Sequence, residues 1–344
     1  MSSDRDILFP REVRSQHSCA RLSENEPGDH GFVRSTWFAM LGAHCFAGKS
    51  VLYMQAQIKD AKAVLPVVDE GDHAIALANY YSFAYGPIFT GADDDGLKLE
   101  LLRQIAVELR RKYRRVSFYP LIENQDVIVE IMRRAFAKAG WIALLTDQNS
   151  NHTLDVAKRD FAAYWATRPG ALRSSVRRKG KNSPYRFRIY DHVTQNIWDE
   201  YRAVYSASWK NAEPYPDMVR AIADEAASRG ALRLGMAYGH GGTPVATQLW
   251  TIEGDTGCIH KIAHDTAHDK GSPGTLLSQH MFAHMIDVER VAHIDYGTGG
   301  NSYKRDWMER ERAMLRLDCF DPRKAKMWLP ALKTRISQLV RRPS

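Results

Sequence analysis

LRLGMAYGHGGTPVATQLWTIEGDTGCIHKIAHDTAHDKGSPGTLLSQHMFAHMIDVERVAHIDYGTGGNSYKRDW, residues 232–307, decides the fold. Ala231–Tyr238 and Pro244–Glu253 are β-rich runs on either side of Gly239-His240-Gly241-Gly242, the composition of a tight hairpin turn. Glu253-Gly254-Asp255-Thr256-Gly257 makes a second turn into Cys258–His264, so three antiparallel strands follow one another. His268-Asp269-Lys270-Gly271-Ser272-Pro273-Gly274-Thr275 then leads into a helix, on which Leu276, Leu277, Met281, Met285 and Val288 recur at helical spacing. A glycine-bearing loop at a helix start exposes backbone N–H groups at the positive end of the helix dipole, an arrangement that suits a phosphate or pyrophosphate. Lys270, Gly271, Ser272, Gly274 and Thr275 are the candidate contacts. A strand at Val291–Tyr296 and a short helix at Ser302–Arg310 complete the run.

Outward from this stretch, the first half of the chain repeats its order. Strands near Val51–Ile58, Ala61–Val68 and Ala74–Asn79 precede a helix at Leu97–Lys112, a strand at Val116–Tyr119, a helix at Gln125–Ala139 and a strand at Trp141–Leu145. A last strand near Met314–Phe320 completes the second half. The pattern predicts an α/β fold of the α+β type, two domains each with a mostly antiparallel mixed sheet flanked by helices. Asp147-Gln148-Asn149-Ser150-Asn151 is polar and reads as the boundary, followed by a helix from about Leu154, giving domains of 1–150 and 151–344.

Composition bounds the rest. A length of 344 residues suits two domains, each large enough for its own core. No stretch approaches the roughly 20 continuous apolar residues needed to cross a bilayer, and Met1–Asp6 has no signal-peptide pattern. Cys19, Cys45, Cys258 and Cys319 lie far apart, which excludes a paired-cysteine framework and points to a reducing cytoplasm. The net charge of +8 favours polyanionic partners. Between Phe161 and Tyr190 there is no acid, while Arg168, Arg173, Arg177, Arg178, Lys179, Lys181, Arg186 and Arg188 all occur; they read either as a solvated face or as a contact for phosphates.

PVATQLW at Pro244–Trp250, KIAHD at Lys261–Asp265, SPGTLL at Ser272–Leu277, and IDYG followed by YKRDW between Ile294 and Trp307 carry a family resemblance. The run resembles the acyl-CoA-binding half of the GNAT acetyltransferases, in particular the CelD-like and BioF-like branch associated with polysaccharide synthesis, and more distantly the Fem-type aminoacyl transferases. The loop departs from the usual GNAT phosphate loop, which has Gln or Arg, two spacers, Gly, a spacer, then Gly or Ala. With Gly271 as the first glycine, His268 stands for the basic residue and Pro273 for the second small one. The resemblance implies tandem GNAT-like domains, acetyl-CoA or another acyl-CoA as co-substrate, and splayed strands at Cys258–His264 and Val291–Tyr296 that receive the pantetheine arm. It implies a sugar amine or hydroxyl of a polysaccharide or envelope precursor as acceptor, and it places the acid for the departing thiolate at Tyr303, with Lys304 beside it. A Fem-like reading would instead use aminoacyl-tRNA, with the acid-free segment as the RNA contact. A third reading is a catalytically silent module that binds an anionic partner.

Acyl transfer also needs a base, since an amine with a pKa of about 10.4 is mostly protonated at pH 7, a penalty of about 4.6 kcal/mol. His264 and Asp265, which close one strand, and Asp295, in the other, are the candidates; the same residues read equally as turn, cap or interior groups. Tyr80, Tyr81 and Tyr85 in the run Asn79–Pro87 read as a stacking surface for an acceptor or as an edge strand, and Arg177 and Arg178 as further acceptor contacts. His280 and His284 share a helix face but lack the adjacent Glu of a zinc protease, so no metal is expected. Leu329, Leu332, Ile336, Leu339 and Val340, with Lys333, Arg335, Arg341 and Arg342 around them, form a stripe that reads as a closing helix packed on the domain or as a membrane-surface helix. Oligomeric state is not legible.

Overall fold

The computed structural model describes residues 12–16, 31–122, 126–299 and 302–340. Cys19, the helix start at Gln125 and the pair Arg341 and Arg342 lie outside the described residues. The chain divides into two compact units, residues 1–149 with 313–344, and residues 150–312.

In the first unit, β1 (Glu12–Gln16), α1 (Ser35–His44), β2 (Ser50–Ile58), β3 (Ala61–Asp69), β4 (His73–Ala76) and β5 (Ile88–Thr90) lead to α2 (Asp95–Lys112), β6 (Arg115–Ile122) and α3 (Asp126–Lys138). Asp94 caps α2 by accepting from the Leu97 N–H at 2.9 Å, and Leu101, Leu102, Ile105 and Leu109 recur on its buried face. With β13 (Arg310–Phe320) last, the strand order is β1-β2-β3-β4-β6-β13, antiparallel except where β6 runs parallel to β4.

The second unit is laid down as α4 (Phe161–Ala166), α5 (Gly170–Gly180), β8 (Arg186–Tyr190), α6 (Gln195–Ser206), α7 (Pro216–Ser228), β9 (Leu232–Tyr238), β10 (Pro244–Glu253), β11 (Thr256–His264), α8 (Pro273–Ala283), β12 (His293–Thr298) and α9 (Ser302–Trp307). Beginning with the end of β7 (Ile142–Asp155), its order is β7-β12-β11-β10-β9-β8, again with one parallel pair, β11 and β12. Leu277, Met281 and Phe282 of α8, with Met285 of the turn that follows it, pack with Leu154, Tyr164, Trp250 and Trp307. The helix comes so close to the sheet that a Cβ on Gly235 would lie 2.4 Å from the Met281 sulfur, so glycine there sets the spacing of the two layers.

Three expectations are corrected. The polar run 147–151 is not a linker before a helix: β7 (Ile142–Asp155) runs straight through it, and the next helix begins only at Phe161. Asn151 and His152 are polar but buried, and the hydrogen bond from Asn151 to Asp295 hides them inside a strand. The second correction concerns the C-terminus. β13 (Arg310–Phe320) pairs with β6, so residues 313–344 group with the first unit and not with 151–312. The end of β7 that pairs with β12, Asn151–Asp155, lies in the second unit. Third, Val288 is 64% exposed because the helix widens to a π turn at His284–Val288, which brings Ile286 inward instead.

The last helix among the described residues is α10 (Trp328–Val340). No helix among the described residues is long and apolar enough to cross a membrane.

Candidate active site

The start of α8 is built from a backbone turn. Asp265 ends β11 and accepts from the Ala267 N–H at 2.9 Å, which caps the 3-10 turn Thr266–Gly271. Ser272 then adopts the left-handed conformation (φ 53°), and Pro273 supplies the first helical position, where its missing N–H costs nothing. Leu276 N–H returns to the Ser272 carbonyl at 3.1 Å, and no side chain caps this end. The N–H groups of Gly274 and Thr275 therefore meet no acceptor among the described residues. The turn departs from the glycine pattern because its left-handed residue is Ser272. Gly271 is needed for a different reason: a Cβ there would lie 2.1 Å from the Tyr185 hydroxyl oxygen. The Lys179 ammonium, from basic α5, donates to the Lys270 carbonyl and ties α5 to this turn.

The helix start is fixed from beneath. Gln248 Nε2 donates to Ser278 Oγ at 2.7 Å and to the Gly274 carbonyl at 3.3 Å, while its Oε1 accepts from Trp250 at 2.9 Å. His264 stands against the same turn, its Nε2 2.7 Å from Asp269 Oδ1 and its ring 4.7 Å from that of Trp209. A Cβ on Gly274 would lie 3.1 Å from His264 Nδ1.

Beside this helix the sheet opens. β11 and β12 pair only over Thr256–Cys258 and His293–Asp295, although β11 continues to His264 and β12 to Thr298. The cause is visible in the register of β10, where Leu249 faces Lys261 and Trp250 faces Ile259, so His260 is an extra residue that bends β11 away. The Lys304 ammonium, from α9, holds the other side by donating to the carbonyls of Thr298, Tyr296 and Gly297 at 2.7, 3.2 and 3.3 Å. Burial lowers its pKa to about 8.

Residues 167–305 match the family model described as an acetyltransferase (GNAT) domain. The match marks residues 167–305 as an acetyltransferase domain of the GNAT type, the domain of an acyltransferase. The match lies wholly within the second unit. Among solved structures, FemX superposes with a TM-score of 0.62 at 9% identity, covering 89% of this chain and 96% of its own. L-PGS from Bacillus licheniformis superposes at 0.55 with 12% identity, covering 88% and 91%. The C-terminal domain of a putative lysylphosphatidylglycerol synthetase from Agrobacterium fabrum gives 0.53 at 13% identity, covering 81% and 85%. These likenesses are of fold. No protein of curated function matches the sequence.

Within the GNAT domain, the expected residues separate by environment. Tyr303 is 40% exposed and stands edge-on to the buried Tyr296 ring at 5.8 Å, just beyond the open end of β12. Asp295 is 4% exposed and fully engaged, accepting from Arg312 at 2.6 Å, Gly297 N–H at 2.7 Å and Asn151 at 3.0 Å. Burial pushes its carboxyl above the usual range against the pull of Arg312. It ties strands together, as Asp265 ties a turn, which leaves His264 as the candidate base at the helix start. Arg177 is exposed on α5 and lines a 650 Å³ cleft with Arg173, Trp165 and Gln279; Arg178 is exposed on the same helix. His280 stacks on Phe187 at 5.4 Å, and His284 Nε2 is 2.8 Å from Glu289.

The tyrosines of the first unit do not form a stacking surface. Residues 77–87 are irregular rather than a strand, Tyr81 and Tyr85 are 2% and 1% exposed, and Tyr85 donates to the Pro66 carbonyl at 2.6 Å. Only Tyr80, 53% exposed, faces outward.

Sequence reasoning missed the connection between α6 and α7. Glu213 accepts from Tyr205 at 3.1 Å and pairs with Lys261 of β11. Lys210 lies 5.9 Å above the rings of Tyr205 and Trp209, and burial together with the nearby Lys261 lowers its pKa to about 8. Only Lys261, within KIAHD, belonged to a recognisable motif. β8 was also missed, although Arg-Phe-Arg-Ile-Tyr alternates as an edge strand should.

Proposed function

We propose that the protein is an acyl-CoA-dependent N- or O-acyltransferase whose second unit binds the donor. The observation that carries this is the conjunction of a helix start with two unclaimed N–H groups and a pair of parallel strands that part after Cys258 and Asp295. Gly274 and Thr275 hold the pyrophosphate on the positive end of α8. The pantetheine arm lies between β11 and β12 and borrows backbone groups that the parted strands leave unpaired. The acceptor's nitrogen or oxygen attacks the thioester carbonyl carbon, its proton passes to His264 directly or through water, and the carbon–sulfur bond breaks. Tyr303 delivers a proton to the departing thiolate. Lys210, Glu213 and Lys261 line the acceptor side.

The CelD-like resemblance supports a sugar amine or hydroxyl of a polysaccharide or envelope precursor as acceptor. The wide spacing of Cys19, Cys45, Cys258 and Cys319 along the sequence supports action in the reducing cytoplasm. Exposed Arg177, Arg178 and Lys181 favour a second reading, in which an aminoacyl-tRNA is the donor. Thermal unfolding with acetyl-CoA, free CoA and bulk tRNA separates the two. Acetyl-CoA at 100 times its dissociation constant should add about 2.7 kcal/mol of stability. Stabilisation by tRNA alone would replace the first reading with the second, and no response to any of the three would remove both.

A further inference from the structure

The C-terminal stripe reads from the sequence as a closing helix packed on the domain or as a membrane-surface helix, and in the structure its large apolar side chains are exposed. Trp328, Leu329, Leu332 and Ile336 are 61%, 61%, 54% and 51% exposed, whereas Ala331 is 6% exposed. At about 100° per residue, the four large side chains fall within an arc of about 100°. Exposed Arg335 lies about 20° beyond one edge of that arc and exposed Lys333 about 40° beyond the other. Lys324 and Lys326 are exposed in the turn that precedes the helix. From Pro322 to Ser344 the sequence holds seven basic residues and no acid, against a net charge of +8 for the whole chain.

We propose that α10 is an interfacial helix that docks the protein on an anionic bilayer surface. A contiguous apolar arc flanked on both edges by long cationic side chains matches a headgroup boundary, with the arc in the acyl layer and the ammonium and guanidinium groups reaching out to lipid phosphates. Trp328 sits at the edge of the arc, where an amphipathic ring meets the headgroups. A second copy of the chain is a poorer occupant, because a two-fold contact would set this basic rim against itself. The helix is far too short and too charged to span the membrane, so the protein lies on the surface.

Co-sedimentation of the full chain with vesicles of phosphatidylcholine, alone or mixed with phosphatidylglycerol, tests this. Binding should be about tenfold or more stronger on the anionic vesicles at low salt and should fall as salt rises. Leu332→Gln with Ile336→Gln should abolish it, while Lys333→Gln with Arg335→Gln should erase the preference for phosphatidylglycerol; all four side chains are exposed, so both variants should melt like the parent. Failure to pellet with phosphatidylglycerol vesicles, or equal pelleting of the Leu332→Gln, Ile336→Gln variant, overturns the proposal. So does light scattering that shows a dimer dispersed by those same two substitutions, since the arc would then be covered by protein.

Discussion

Tyr303 and Lys304 are neighbours with opposite surroundings. The lysine is 5% exposed with its ammonium on three backbone carbonyls at the end of β12, whereas the tyrosine is 40% exposed with its ring against Tyr296. A phenol of pKa about 10 can protonate a thiolate of about 8.5 only where the two are held together. Tyr303→Phe keeps the ring against Tyr296 and removes the proton. Single-turnover assays should show the chemical step slowed by roughly 10²-fold, with donor affinity unchanged and the deficit smallest at low pH. Near-normal turnover would make Tyr303 a packing residue. Lys210 makes a different prediction. Its folded pKa of about 8 lies below the ordinary lysine value of 10.5. The unfolded chain therefore holds more protons between those values, and stability rises with pH across that window. Lys210→Met should be neutral to stabilising at pH 7 and should lose the rise, which urea unfolding at pH 7 and pH 10 measures; a variant less stable at pH 7 would show that the charge is welcome where it sits.

At the scale of the element, α8 depends on glycine at its second position. Valine at 274 would press on His264, since even a Cβ comes within 3.1 Å of its ring, and would cover the N–H groups of the first turn. Gly274→Val should weaken CoA binding at least about tenfold by calorimetry, equivalent to about 1.4 kcal/mol. An unchanged affinity in a folded variant removes the helix start from the site. α5 carries its own test. Alanine at Arg177, Arg178, Lys179 and Lys181 should flatten the salt dependence of any RNA binding, whose log–log slope is about −0.7 per neutralised phosphate for single strands. If no RNA binds at low salt, the helix serves the donor or acceptor.

At the scale of the molecule, the first compact unit is completed by chain from the far end of the sequence, where β13 pairs with β6. The junction in the first unit is charged. Asp321, just beyond β13, is 0% exposed and accepts from Arg110 and Arg323, each at 3.0 Å. Burial pushes its carboxyl up, but the hydrogen bonds from Arg323 and Arg110 outweigh this and hold it at about 2. Because the folded value lies below the unfolded one, the stabilisation is full above about pH 4 and is lost as pH falls toward 2, a change of roughly 2 kcal/mol. Asp321→Asn should be less stable than the parent at pH 6 by a comparable amount, and the gap should close in acid. A constant gap in urea melts at pH 6 and pH 3 would refute the linkage.

Local periodicity determined the elements. The β-β-β-α-β order between residues 232 and 296 follows from turn glycines and the spacing of Leu276, Leu277, Met281 and Met285, since side-chain period and turn chemistry are short-range properties. The candidate helix start was legible for the same reason. What tertiary structure alone decided depends on partners distant in sequence. Asn151 looks like linker until Asp295, itself paired with Arg312, accepts from it across strands, and residues 313–320 cannot announce that their partner is β6, about two hundred residues earlier. Tyr81 and Tyr85 read as a binding face because burial is a property of the packed chain, not of a run of hydroxyls. Lys210 and Glu213 carry no motif. Their meaning comes from Lys261 on another element, because an ionisable group's environment is set by whatever charge and solvent the fold brings to it.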